Sequence, residues 1–81
     1  MRTAVGEVRT AAANAANAHD AAIWRWFSAV YDEGRLRWCR SANGWLVSVD
    51  HKHLSTEPDF YDAIRVARER YMASARRAAA A

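Results

Sequence analysis

Eighty-one residues with a formal net charge of +3 hold the chain to one domain with a limited core, too small to be stable without good packing, a staple or a partner. The lone cysteine, Cys39, excludes an intramolecular disulfide, and the absence of a CxxC or Cys/His cluster excludes structural zinc as that staple. An unpaired thiol fits a reducing cytoplasm. With no apolar run of about 18 residues and no signal-peptide h-region, the expectation is a cytoplasmic protein without a membrane span.

Eleven of the 12 basic residues are arginine. With so much alanine this is what GC-rich coding produces. It is also what selection for bidentate contacts to phosphate or carboxylate produces.

Residues 3–20 read as a helix. Val5, Val8, Ala12, Ala15 and His19 recur at spacings of three and four, which places them on one stripe. Alanine gives high intrinsic propensity. The stripe is shallow and Gly6 weakens the first turn, so this helix needs a neighbour, either the sheet or a second copy in a homodimer.

Residues 23–31, 35–41 and 45–53 read as a three-stranded antiparallel meander. Ile23, Trp26 and Val30 would also continue the first helix, so residues 21–30 are strand or helix; the concentration of aromatic and β-branched residues favours strand. "DEG" at 32–34 suits a hairpin loop, and "NG" at 43–44 a type I′ turn. Pairing Ala42 with Trp45 sets Arg40 opposite Val47, Trp38 opposite Val49 and Leu36 opposite His51. One face then collects all four tryptophans with Leu36, Val47 and Val49, a sorting that a one-residue slip destroys. The other face carries Arg25, Phe27, Tyr31, Arg35, Arg37 and Cys39, with Arg37 beside Asp50.

Residues 57–78 read as a helix with Thr56 as N-cap and Pro58 in its first turn. Acidic residues at its start and Arg76 and Arg77 at its end suit the macrodipole. Phe60, Ile64, Ala67, Tyr71, Ala75 and Ala78 form a stripe that should cover the tryptophan face. The expected fold is therefore α+β, an αβββα single domain over residues 1–81.

The pattern Asp32, Gly34, Trp38, Ala42, Asn43, Gly44, Ile64, Val66 and Arg68 resembles the YegP-like family of small βββα modules over about residues 24–70. The resemblance implies a fold and carries no defined activity. Ala42 directly before Asn43, Leu36 in place of an aromatic, and the helix at 3–20 depart from the family pattern. In size and character alone, the sequence is similar to small phage-encoded inhibitors of host defence, including anti-CRISPR proteins.

No constellation points to catalysis or to a cofactor. His51 and His53 are two apart, half of a metal site at most. Cys39 has no histidine within reach. Asp32 and Glu33 fall in a turn and Glu57, Asp59 and Asp62 at a helix start, and no phosphate loop or nucleophile elbow is present.

Two binding readings follow. A non-enzymatic protein-binding module would use Arg25, Phe27, Tyr31, Arg35 and Arg37 with the helix flank Arg65, Arg68 and Arg76, because arginine and aromatics dominate interface hot spots. Its partner would be a host complex subunit. A nucleic-acid-binding module would use the basic sheet face, with Arg25, Arg35, Arg37 and Lys52 on phosphates and Phe27 and Tyr31 stacking bases.

Overall fold

The computed structural model describes residues 4–80, with side chains from Asn17 onward. Helix α1 (Ala4–Asp32) leads to strands β1 (Leu36–Ser41), β2 (Gly44–Val49) and β3 (Lys52–Glu57), and then to helix α2 (Phe60–Ala80). The strands form one antiparallel sheet in the order β1-β2-β3. The architecture is the expected αβββα, but the elements are drawn from different residues at three places.

The first correction concerns residues 23–31, which are the second half of α1 and not a strand. No glycine or proline interrupts residues 7–31. A helix already nucleated in the alanine-rich segment extends at little cost, because propagation adds one hydrogen bond per residue fixed. The "DEG" segment is not a hairpin but a helix stop. Gly34 adopts φ +73°, its N–H donates to the Tyr31 carbonyl at 2.9 Å, and the Arg35 N–H donates to the Val30 carbonyl at 3.2 Å. That pair of bonds is a Schellman C-cap, where glycine takes the left-handed position at no steric cost.

The second correction is a new third strand from residues expected to end one strand and begin the last helix. Asp50 and His51 form the two-residue turn between β2 and β3, with φ of 54° and 67°. These are the left-handed values of a type I′ turn, which Asp and His tolerate better than most side chains. His51 and His53 therefore lie on either side of the end of a turn and not along one strand. Thr56 is a strand residue opposite Leu46. The N-cap of α2 is Asp59, whose carboxylate accepts the Asp62 N–H at 3.2 Å. Pro58 stands ahead of the cap.

The third correction is a two-residue offset between β1 and β2. Ser41 pairs with Gly44, Arg40 with Trp45, Trp38 with Val47 and Leu36 with Val49. Ala42 and Asn43 make the turn, and Gly44 opens β2 at φ +120° with the Glu57 carbonyl so close that a Cβ would meet it at 2.3 Å. An offset of two keeps every side chain on its expected face. Leu36, Val47 and Val49 are accordingly buried together.

Both helices lie on that one face, α1 along β1 and α2 across β2 and β3. Ile23 and Val30 from α1 meet Ala63, Ile64 and Ala67 from α2 over the strands. A bulge between Val47 and Ser48 turns both Leu54 and Ser55 inward. Ser55, fully buried, donates its hydroxyl to the Ala63 carbonyl at 2.6 Å, which ties the bulge to α2. Arg70 caps the same bulge, donating to the Leu54 carbonyl at 2.5 Å. The opposite face of the sheet, with Arg37, Cys39 and His53, is uncovered by either helix. The expected stripe at Val5, Val8, Ala12 and Ala15 lies outside the described side chains, while His19, its last member, is exposed.

Candidate functional site

Where the C-terminal half of α1 crosses the β1 edge of the sheet, Phe27, Tyr31, Trp38, Trp45 and Phe60 line an open cleft of about 460 Å³. Phe27 and Tyr31 are one helical turn apart on α1 and present stacked rings at 6.1 Å. The Trp38 ring, from β1, stands 5.7 Å from Phe27 and 5.6 Å from Tyr31. Phe60, the first residue of α2, closes the floor, 6.0 Å from Trp38 and 5.1 Å edge-on to Trp45. Trp24 extends the cluster, 5.5 Å from Phe27. Edge-to-face and tilted pairs at these distances suit the ring quadrupoles.

The cluster is only partly covered. Tyr31 is 53% exposed, and Trp24 and Trp38 are each 39% exposed. This corrects the expectation that α2 buries the tryptophans: Trp38 and Trp45 are on the helix-bearing face, but at its open end. The rim is basic. The Arg40 guanidinium lies 5.6 Å from the Trp45 ring centre. Arg37 folds back to donate to the Gly34 and Leu36 carbonyls at 3.1 and 2.9 Å, which sets it beside Tyr31 and Trp38.

The remaining expected site residues are scattered. Arg35 pairs in bidentate fashion with Asp50, Nε and Nη2 each at 2.8 Å, and donates to the Tyr71 hydroxyl at 2.9 Å. Asp50 thus faces Arg35 and not Arg37, as the two-residue offset requires. These hydrogen bonds raise the Arg35 pKa and lower that of Asp50. A guanidinium so engaged is a structural clamp between α2 and the β2–β3 turn. Arg65 is likewise compensated, by Glu69 at 3.2 Å and Asp62 at 3.6 Å. Arg68 is half-buried, and its Nε is sealed off without a partner among the described residues. Arg25 and Arg76 are exposed on their helices. The face that was to join Arg25, Arg35, Arg37 and Lys52 is therefore not assembled; of the expected set, Phe27, Tyr31 and Arg37 come together.

Compared with protein-family models, with curated proteins and with solved structures, the chain matches none. The functional reading therefore stands on the geometry alone. Among the described residues, no three His, Cys, Asp or Glu side chains group as a metal would need, and no helix is long and apolar enough to cross a membrane. Trp38, Trp45 and Phe60 are site residues that sequence reasoning assigned to the core. The available signal was the helical spacing Trp24, Phe27, Tyr31: once read as a helix, it puts three aromatics on one flank, more than a two-helix cover can bury.

Proposed function

We propose that this is a non-enzymatic binding module whose aromatic cleft takes a protein segment presenting an apolar or aromatic side chain next to acidic residues. The observation that carries it is the exposure of Tyr31 and Trp38 inside a five-ring cleft. A small domain rarely leaves contiguous aromatic surface uncovered without a use for it, and Trp and Tyr in such clefts are the usual anchors of an interface. Arg37 and Arg40, on the β1 side of the rim away from Glu57, select the acidic flank. The same rim disfavours a cationic ligand, which an all-aromatic cleft would otherwise attract. The rings pack against one another rather than standing free in a row, which suits an inserted side chain better than stacked bases. The finer reading, a phage inhibitor of a host defence complex, draws on the size and character of the sequence, and the cleft supplies the contact surface a blocking protein needs.

The test is binding to an immobilised peptide array. Peptides with a central Trp, Phe or Leu flanked by Asp or Glu should bind, and lysine-flanked versions should not. Trp38→Ala and Tyr31→Ala should each weaken binding at least tenfold, the loss of about 1.4 kcal/mol that a hot-spot side chain exceeds. Equal binding of both peptide charge types, or Trp38→Ala binding like the parent, overturns the proposal. Concentration-dependent dimerisation abolished by Trp38→Ala would instead assign the cleft to a second copy.

A further inference from the structure

At the other end of α2 lies a groove of different character. Lys52 and His53 from β3 and Arg70, Ser74 and Arg77 from α2 line a depression of about 250 Å³ beside Leu54 and Ala73. We propose that this groove seats the phosphate backbone of nucleic acid, without reading sequence.

Charge is the first support. Among the described residues, no carboxylate lines the groove. The acidic side chains nearest to it in sequence are already engaged, Asp50 by Arg35 and Glu69 by Arg65. Among the described residues, Lys52 and Arg77 make no ion pair, so their charges are uncompensated. Arg70 spends one N–H on the Leu54 carbonyl. That bond holds its guanidinium at the groove and leaves its other donors free.

Spacing is the second support. Arg70 and Arg77 are two helical turns apart on one face of α2, about 10 Å along the axis. A row of that length suits an extended polyanion better than a single small anion. Arginine guanidinium and lysine ammonium groups with a serine hydroxyl are the usual donors to phosphate oxygens.

The lining also argues against a protein anchor. Among the described residues, no phenylalanine, tyrosine or tryptophan borders the groove, so it lacks the large aromatic anchor of a hot-spot pocket, and its one ring, His53, is tied to the Thr56 hydroxyl at 2.8 Å. What is left is contact to a charged backbone, which is independent of sequence and steep in salt.

Fluorescence anisotropy with labelled single-stranded and duplex oligonucleotides tests this, beginning at about 50 mM salt. With three cations engaged, log K should fall against log salt with a slope of about −2 to −3. Scrambling the base sequence should change nothing. Lys52→Glu with Arg77→Glu should lower affinity at least tenfold and flatten the slope by about two, with an unchanged circular dichroism spectrum. If that pair disturbs folding, Lys52→Gln with Arg77→Gln gives the same flattening at a smaller loss. Trp38→Ala should bind oligonucleotide like the parent, which separates this site from the cleft. Absence of any complex at low salt overturns the proposal, as does an unaltered slope in the folded double variant. Displacement by poly-glutamate as effective as by unlabelled oligonucleotide also overturns it, and assigns the groove to an acidic protein surface.

Discussion

Ser55 offers the sharpest test of how the sheet is fastened to α2. Its hydroxyl is fully buried at the bulge of β3 and donates to the Ala63 carbonyl at 2.6 Å. Ser55→Ala removes that bond. The carbonyl keeps its own helical partner within α2, so no buried acceptor is orphaned and the cost is that of one hydrogen bond, about 1 kcal/mol. For a domain of this size that lowers the melting temperature by about 4–8 °C. Ser55→Val removes the same bond and forces two methyl groups into a site with no exposed surface. Overpacking adds its own cost, for a total of about 2–4 kcal/mol. Against the roughly 4–12 kcal/mol that a chain of this length holds in total, the valine variant should be partly unfolded near its reduced midpoint. Urea denaturation followed by far-ultraviolet circular dichroism measures both, with the slope in denaturant unchanged if only native contacts are lost. If Ser55→Ala melts at or above the parent, the bulge is not held by this bond and β3 is wrongly fastened to α2.

Other substitutions probe the remaining corrections to the expected fold. Asp59→Ala should cost about 1 kcal/mol through loss of the α2 N-cap, whereas Thr56→Ala, removing only an exposed contact to His53, should cost less than about 0.5 kcal/mol; the reverse order in thermal melts would restore Thr56 as the cap. Gly44→Ala places a Cβ 2.3 Å from the Glu57 carbonyl oxygen, while Gly34→Ala meets nothing within 4 Å. Both incur a left-handed penalty of about 1 kcal/mol, so Gly44→Ala should be clearly the more destabilising in urea, and parity between them would contradict the close approach of β2 to the end of β3. The Asp50 pKa lies below its ordinary 3.8 because Arg35 hydrogen-bonds the carboxylate. A depressed folded value contributes stability above the unfolded pKa and loses it as pH falls through the folded one. Asp50→Asn should therefore be less stable than the parent at neutral pH, with the gap closing below about pH 4; a gap that persists at pH 2 is inconsistent with the ion pair.

Which parts of the fold could be read from the residues depended on which interactions are local. The apolar alternation of β1 and β2 is a period-two signal, and it sorted Leu36, Val47 and Val49 correctly even though the pairing is offset by two. Residues 23–31 misled because aromatic and β-branched content argues for a strand only when nothing upstream has nucleated a helix. The cost that decides between them lies outside the segment, in the alanine-rich turns before it. Gly34 suits a left-handed position in a hairpin loop and in a Schellman cap alike, and only the bonds to the Tyr31 and Val30 carbonyls distinguish them. Residues 52–57 carry a single large apolar side chain, Leu54, so β3 has almost no pattern. Its inward residues are set by a bulge, and Ser55 is buried by a partner eight residues away. The cleft was hidden for a related reason. Trp38 and Trp45 lie on the expected face while Trp24 and Trp26 stand on α1, but how far α2 reaches along that face depends on where the helix begins, and the true cap is three residues later than Thr56.

That late start also separates the two proposed sites. Phe60, at the first residue of α2, borders the cleft, while Arg77, near its end, borders the groove, and their separation of seventeen positions spans about 25 Å of helix. The cleft draws on β1 and β2, and the groove on β3, so they occupy opposite edges of the sheet. Arg35, clamped to Asp50 and Tyr71 between them, neutralises the carboxylate that would otherwise weaken the groove. Removing that clamp with Arg35→Ala frees the Asp50 charge next to Lys52. Oligonucleotide affinity should then fall although Arg35 itself does not line the groove, and the double change Arg35→Ala with Asp50→Asn should recover it. Peptide binding at the cleft should be the same in both variants. Failure of Asp50→Asn to restore affinity would mean that Arg35 acts on phosphate directly, and the groove would have to be redrawn to include it.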